Sequence, residues 1–210
     1  MEQFYFYSQS EKAIYRFNVN TGSIESIAQN IKGYSDNTST GRMLAVDADN
    51  FIFIKTSPFD IAIMDGENFR VFNIPICNEY QKRTNSPNHT GTIFYFYPIG
   101  DYKLLVITKW GFIQIYEYVN PEAVKNLKES KSLNFEGEIT ATSYNKTHQI
   151  LAINIFKKLE KGVTENGTWV NCVRFYKLRL DSFIWFEFLE EWVSGPSRSN
   201  FFLLKLFIFN

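Results

Sequence analysis

The stretch AIYRFNVNTGSIESI (residues 13–27) decides the fold class. Asn20-Thr21-Gly22 stands between two runs of alternating apolar and polar residues, and alternation with a period of two marks a strand with one covered face. Gly22 can take a positive φ without steric cost, so the segment reads as a β-hairpin. Three later segments repeat the design without repeating the sequence. They are residues 61–72 about Asp65-Gly66-Glu67-Asn68, residues 112–118, and residues 170–189 about Asp181-Ser182. A strand-turn-strand unit that recurs in this way predicts an all-β chain.

Other strands are apolar on both faces: MLAV (43–46), FIFI (51–54), LLVIT (104–108) and ILAINI (150–155). A strand without a polar face has to be covered on two sides, which stacked small sheets provide and an isolated sheet does not. Turn-forming clusters precede three of these runs: NTSTG (37–41), PIGDY (98–102) and YNKTH (144–148). If third strands begin near Ala13, Ile61, Phe112 and Val170, the units are spaced by 48, 51 and 58 residues. Radial repeats of four strands run to about 40–50 residues each. The expected architecture is a WD40-like β-propeller of about four blades over residues 1–193, followed by an apolar tail at 194–210. Four blades is the lower limit for a closed ring. Six to eight blades need about 240–400 residues at that period, so the ring is expected to be incomplete.

The segment NPEAVKNLKES (120–130) interrupts the period. Asn120 can cap, Pro121 suits the first helical turn and Glu122 its dipole, which predicts a short helix over residues 121–130. The tail FFLLKLFIFN (201–210) is half the length a membrane span needs, and a closing strand or non-native sequence are its alternative readings.

Composition narrows the function classes. In 210 residues, 22 Lys and Arg balance 22 Asp and Glu, so no net field attracts a polyanion, and nucleic acid is not an expected partner. Hydrophobic residues at 45% and aromatics at 18% exclude disorder and favour sheet. The two cysteines, Cys77 and Cys172, lack metal-ligand spacing and fit a reducing compartment. The start MEQFYFYSQSEK carries neither the basic region nor the apolar core of a signal peptide, so a cytoplasmic location is expected and the Asn-X-Ser/Thr sites at Asn37, Asn88, Asn145 and Asn166 carry no weight.

Catalytic chemistry finds little to work with. His89 and His148 lie in polar segments without a Cys, His or acidic neighbour in sequence. Asp47 and Asp49 in DADN open like a calcium loop, but Phe51 and Ile52 stand where an oxygen ligand and a glycine belong. They read instead as acidic turn residues between two covered strands. No phosphate loop, nucleophile elbow or paired-cysteine motif occurs, and no catalytic residue, cofactor or metal is expected. A propeller enzyme remains the rival reading, and it requires His148, Asp47 or Glu138 to share one cavity. Trp110 in TKWGF is the candidate interaction residue, because a Trp beside Gly at a tight turn can be displayed on a rim; packing between blades is the alternative. Trp185 and Trp192 in FIWFEFLEEW read as blade-edge packing.

ITATSYNKTHQILAI (139–153) and GFIQIYEYV (111–119) resemble divergent WD40-like propellers, although the Gly-His and Trp-Asp dipeptides are absent. Residues 13–27 also look kelch-like without the Gly-Gly pair; a kelch-type adaptor would open a blade at FYFYSQS rather than near TSTGRMLAV. The order LLVITKWGFIQIYEY, ATSYNKTHQILAINI, VRFYKLRL resembles the amino-terminal propeller of the regulatory subunit of the Mon1–Ccz1 exchange factor complex, over residues 38–192. That resemblance implies a non-enzymatic scaffold in Rab exchange, late-endosomal and lysosomal trafficking and autophagy. It implies protein partners and peripheral membrane association through a complex, without a transmembrane segment, and it transfers no functional residue.

Overall fold

The computed structural model describes residues 3–31, 33, 44–47, 51–58, 60–65, 71–75, 93–108, 111–119, 125–126, 131–132, 137–158, 169–181 and 186–194. Every regular element among them is a β-strand, and the strands form four antiparallel sheets. The first sheet has the order β1 (Gln3–Ser8), β2 (Ala13–Asn18), β3 (Ile24–Ala28). The second is β4 (Leu44–Val46), β5 (Phe51–Lys55), β6 (Asp60–Asp65), β7 (Val71–Pro75). The third runs from β8 (Ile93–Gly100) through β9 (Lys103–Thr108) and β10 (Phe112–Glu117) to β11 (Lys125–Asn126), with β12 (Lys131–Ser132) also pairing β10. The fourth is β13 (Gly137–Asn145), β14 (Ile150–Lys158), β15 (Trp169–Leu178), β16 (Phe186–Ser194).

The hairpin of residues 13–27 forms as its sequence requires. Gly22 has φ 67°, and its amide donates to the Asn18 carbonyl at 2.9 Å. The Asn18 side chain accepts from the amides of Asn20 and Thr21 at 3.0 and 3.2 Å, so the turn is held by its own residues. The four sheets open at Gln3, Leu44, Ile93 and Gly137, which are 41, 49 and 44 residues apart. This period is tighter than the spacing of third strands suggests, for a simple reason. Ile61, Phe112 and Val170 do fall in third strands, but Ala13 opens the second strand of a three-stranded sheet. Sheets open at both Gln3–Ser8 and Leu44–Val46, so strand pairing does not separate the kelch-like from the WD40-like reading.

Residues 1–108 and 114–130 form one compact unit, and residues 109–113 and 131–210 a second. In the first unit the doubly apolar strands are explained by two cores. Ile52, Ile54, Ala62 and Met64 pack with Ile14 of the first sheet, and Tyr5, Tyr7, Ile27 and Ala28 close around them. The alternate residues Phe53, Ile61 and Ile63 pack with Ile93, Phe96, Leu104, Val106, Tyr116 and Tyr118 of the third sheet. One face of the second sheet therefore meets the first sheet and the other meets the third. Lys55 is buried there, and its amine donates to the Ile93 carbonyl at 2.7 Å, which offsets the cost of burying a charge and ties β5 to the start of β8.

The short helix expected over residues 121–130 does not hold where the structure describes that segment. Lys125 and Asn126 form β11 and pair with Glu117 and Tyr116. A helix of two to three turns is marginal on its own, and the free edge of β10 supplies a better use for these backbone groups. The polar turns PIGDY and YNKTH do join adjacent strands of one sheet, with positive φ at Gly100, Asp101, Tyr102 and Gln149.

In the second unit β14 carries five consecutive buried residues, Leu151 to Ile155. Register shifts between Ile139 and Ala141 and between Phe175 and Tyr176 bend the outer pairs of this sheet. No helix among the described residues is long and apolar enough to cross a membrane. The tail at 195–210 lies outside the described residues.

Candidate interaction surface

Trp110, the residue singled out by sequence, lies outside the described residues, as do His89, Cys77 and Trp185. The residues named for a propeller enzyme are placed as follows. His148 is exposed in the β13–β14 turn, where its amide donates to Asn145 Oδ1 at 2.9 Å. Glu138 is exposed at the opposite end of β13. These two therefore do not converge. Asp47 is a turn residue, as its sequence suggested: one oxygen accepts from the Phe51 amide at 2.8 Å and the other from the Tyr118 hydroxyl at 2.6 Å. The rings of Phe51, Phe53 and Tyr102 meet Tyr118 edge-on at centroid distances of 5.6, 4.9 and 5.9 Å and hold that hydroxyl in place. Among the described residues no group of three His, Cys, Asp or Glu side chains could hold a metal ion.

The exposed chemistry of the second unit is concentrated on β16. This strand ends its sheet, so one of its backbone edges has no strand partner among the described residues. Phe188, Leu189, Trp192 and Val193 are all exposed, between 42% and 55%. Outermost strands are usually guarded by charge, proline or brevity, because a free edge recruits other strands. Here the strand is nine residues long and carries apolar residues on both faces, interleaved with Glu187, Glu190 and Glu191.

Two arrangements keep β16 rigid. On one face Trp192 meets Phe175 of β15 edge-on at 5.5 Å, and nearby Phe156 stacks on the exposed Trp169 at 4.8 Å. On the other, Glu191 pairs with Arg174 of β15 and, at 3.1 Å, with Lys157 of β14, so one carboxylate spans three strands. Burial opposes the charge of Glu191, but hydrogen bonds from Arg174, Cys172 and Lys157 outweigh it and bring its pKa down to about 2. Cys172 is fully buried, and burial together with the Glu191 carboxylate pushes its thiol up to about 11. This thiol is a protonated hydrogen-bond donor and not a nucleophile. Glu190 projects from β16 opposite Phe175 and is exposed.

The sequence reads Trp192 as edge packing on a strand with Glu187, Glu190 and Glu191, and it singles out neither Phe188, Leu189 nor Val193. FEFLEEWVS shows apolar residues on both faces, as the covered strands do, and its apolar residues alone do not distinguish a covered strand from a bare one. Its signal was the combination of that pattern with three glutamates, since a strand sandwiched on both sides carries no such charge.

No protein-family model matches the chain, and no curated protein matches it. Solved structures do. A chain of the S. cerevisiae complex of Dbp5 bound to Nup159, Gle1, IP6 and ADP aligns with a TM-score of 0.50 at 11% identity, over 89% of this chain and 46% of that one. The N-terminal domain of Nup159 aligns with a TM-score of 0.49 at 12% identity, over 89% and 47%. The β-propeller domain of Myceliophteria thermophila Cps50 (Swd1) aligns at 0.41 and 9%, over 90% and 71%. The fold is that of a β-propeller portion. The chain spans under half the length of the two Nup159-containing matches.

Proposed function

We propose that this chain is a non-enzymatic scaffold that binds protein partners, and that the free edge of β16 receives an extended polypeptide segment as an added strand. The observation that carries this reading is the exposure of four large apolar side chains on an outermost strand that Glu191 ties to its neighbours. Backbone pairing along β16 would supply affinity, and the exposed side chains of Phe188, Leu189, Trp192 and Val193 would select among the side chains of the segment. Glu190, at the middle of the strand, opposes a second β16: two copies pairing antiparallel about their centres would set Glu190 against Glu190. A segment with Lys or Arg at that position fits instead.

The finer reading rests on the resemblance to the regulatory subunit of the Mon1–Ccz1 complex. It makes the chain part of a Rab exchange factor scaffold acting in the cytoplasm at the surface of late endosomes and lysosomes. The test is affinity purification with quantitative mass spectrometry, using the wild-type protein and Val193→Lys as baits. Val193 is exposed, so its replacement leaves packing intact while placing a cation on the docking strand. Loss of specific partners from the Val193→Lys bait supports docking at β16, and exchange-factor subunits or a Rab GTPase among the lost partners support the trafficking role. Identical partner sets for the two baits would refute the β16 assignment, and partners drawn from another compartment would remove the trafficking role.

A further inference from the structure

Among the described residues the first sheet has one covered face and one bare one. By the register of its strands, Tyr5, Tyr7, Ile14 and Arg16 lie on one face and Phe4, Phe6, Tyr15 and Phe17 on the other. The first set turns toward the second sheet, where Tyr5, Tyr7 and Ile14 join the shared core. The second set, continued by Ile24 opposite Phe17 on β3, has no sheet packed on it among the described residues. Phe4 is 61% exposed, Phe6 42% and Ile24 62%. Phe6 and Tyr15 already stack at 5.3 Å, and the Tyr15 hydroxyl donates to Glu11 at the rim. No charged side chain stands on the face itself, since the remaining strand positions on that side are Ser8, Ala13 and Ser26.

We infer that this face is the seat of a further antiparallel sheet, carried by the same polypeptide outside residues 1–210. Three observations lead there. The bare face continues an interface already present in the chain: the first sheet packs on the second, the second on the third, and the residue types are alike at each level. The propeller chain aligned at a TM-score of 0.50 is more than twice as long as the matched region, which leaves room for further blades in such an architecture. The third observation is size. Three strands of five or six residues present a face of about 14 Å by 20 Å. That is well short of the ~800 Å² per partner of a stable bimolecular interface. A covalently linked sheet meets no such threshold, because it has already lost its translational freedom. This inference rests on the propeller fold and is independent of docking at β16.

The test is hydroxyl-radical footprinting, read by mass spectrometry, of the protein purified at the length its own cells produce, with intact mass and sedimentation velocity on the same sample. The expected result is a mass well above that of 210 residues, a monomer, and labelling of Phe4 and Phe6 slowed at least tenfold relative to the urea-unfolded protein, toward the rate of the core residue Phe53. A mass equal to that of 210 residues overturns the inference. So does rapid labelling of Phe4 and Phe6 in a longer protein. Protection that disappears when a dimer is diluted to monomer also overturns it, because the occupant would then be a second copy.

Discussion

Glu191 shows how a single side chain fixes a surface strand. Its carboxylate accepts from Arg174 and Lys157 on two neighbouring strands, and the buried thiol of Cys172 adds to the set. The folded-state pKa of about 2 lies below the ordinary 4.5, so the folded state favours the charged form more than the unfolded state does. The stabilisation this provides is complete above the unfolded pKa and is lost as pH falls from about 4.5 toward 2. Glu191→Gln keeps the shape and removes the charge. The variant is expected to melt below wild type at pH 7, and the gap should narrow progressively under acid, as followed by thermal denaturation between pH 7 and pH 2.5. A gap that stays constant over that range would mean that the carboxylate contributes packing and not charge.

At the scale of the strand, FIFI on β5 and FEFLEEWVS on β16 both place apolar residues on two faces and meet opposite fates. Phe53 is fully buried and meets Tyr118 edge-on at 4.9 Å, whereas Phe188 is 55% exposed on an edge. Phe53→Ala should therefore cost about 3–5 kcal/mol, as ring removal from a packed core does, while Phe188→Ala, which gives up an edge contact with Tyr176, should cost about 1 kcal/mol. Urea titrations of the two variants read this directly, and equal costs would show that β16 is covered after all. The same contrast explains what the sequence disclosed. Residues 13–27 were legible because Gly22 and Asn18 settle their turn locally, and the covered strands were legible because an apolar residue at every position has only one stable environment. The helix expected over 121–130 failed because its capping and dipole signals describe the segment alone, whereas its competitor is the edge of the preceding strand β10, which those residues do not announce. The exposed surface was illegible because cover is a property of neighbours: FYFY in β1 alternates between a packed face and a bare one, and the residues are aromatic on both.

At the scale of the first unit, the two cores share the second sheet, and this makes three sheets mechanically one. Phe53 points into the core with the third sheet while its neighbours Ile52 and Ile54 point into the core with the first, so loosening β5 loosens both. Cooperative opening of this kind is read by native-state hydrogen exchange, in which elements that unfold together share one opening free energy. The slow amides of β2, β5 and β9 are expected to exchange at rates set by a common opening. Phe53→Ala should accelerate all three by about a hundredfold or more, the factor that corresponds to its core cost. β2 is the discriminating element, since its Ile14 belongs to the other core and senses the change through the second sheet that the two cores share. Acceleration confined to β5 and β9 would show that the first sheet opens on its own, held to its neighbour by a core too small to transmit the loss. Acceleration of β2 in step with the others would show that each sheet depends on the cover of the next, which is the same dependence that leaves Phe4, Phe6 and Ile24 in want of a partner.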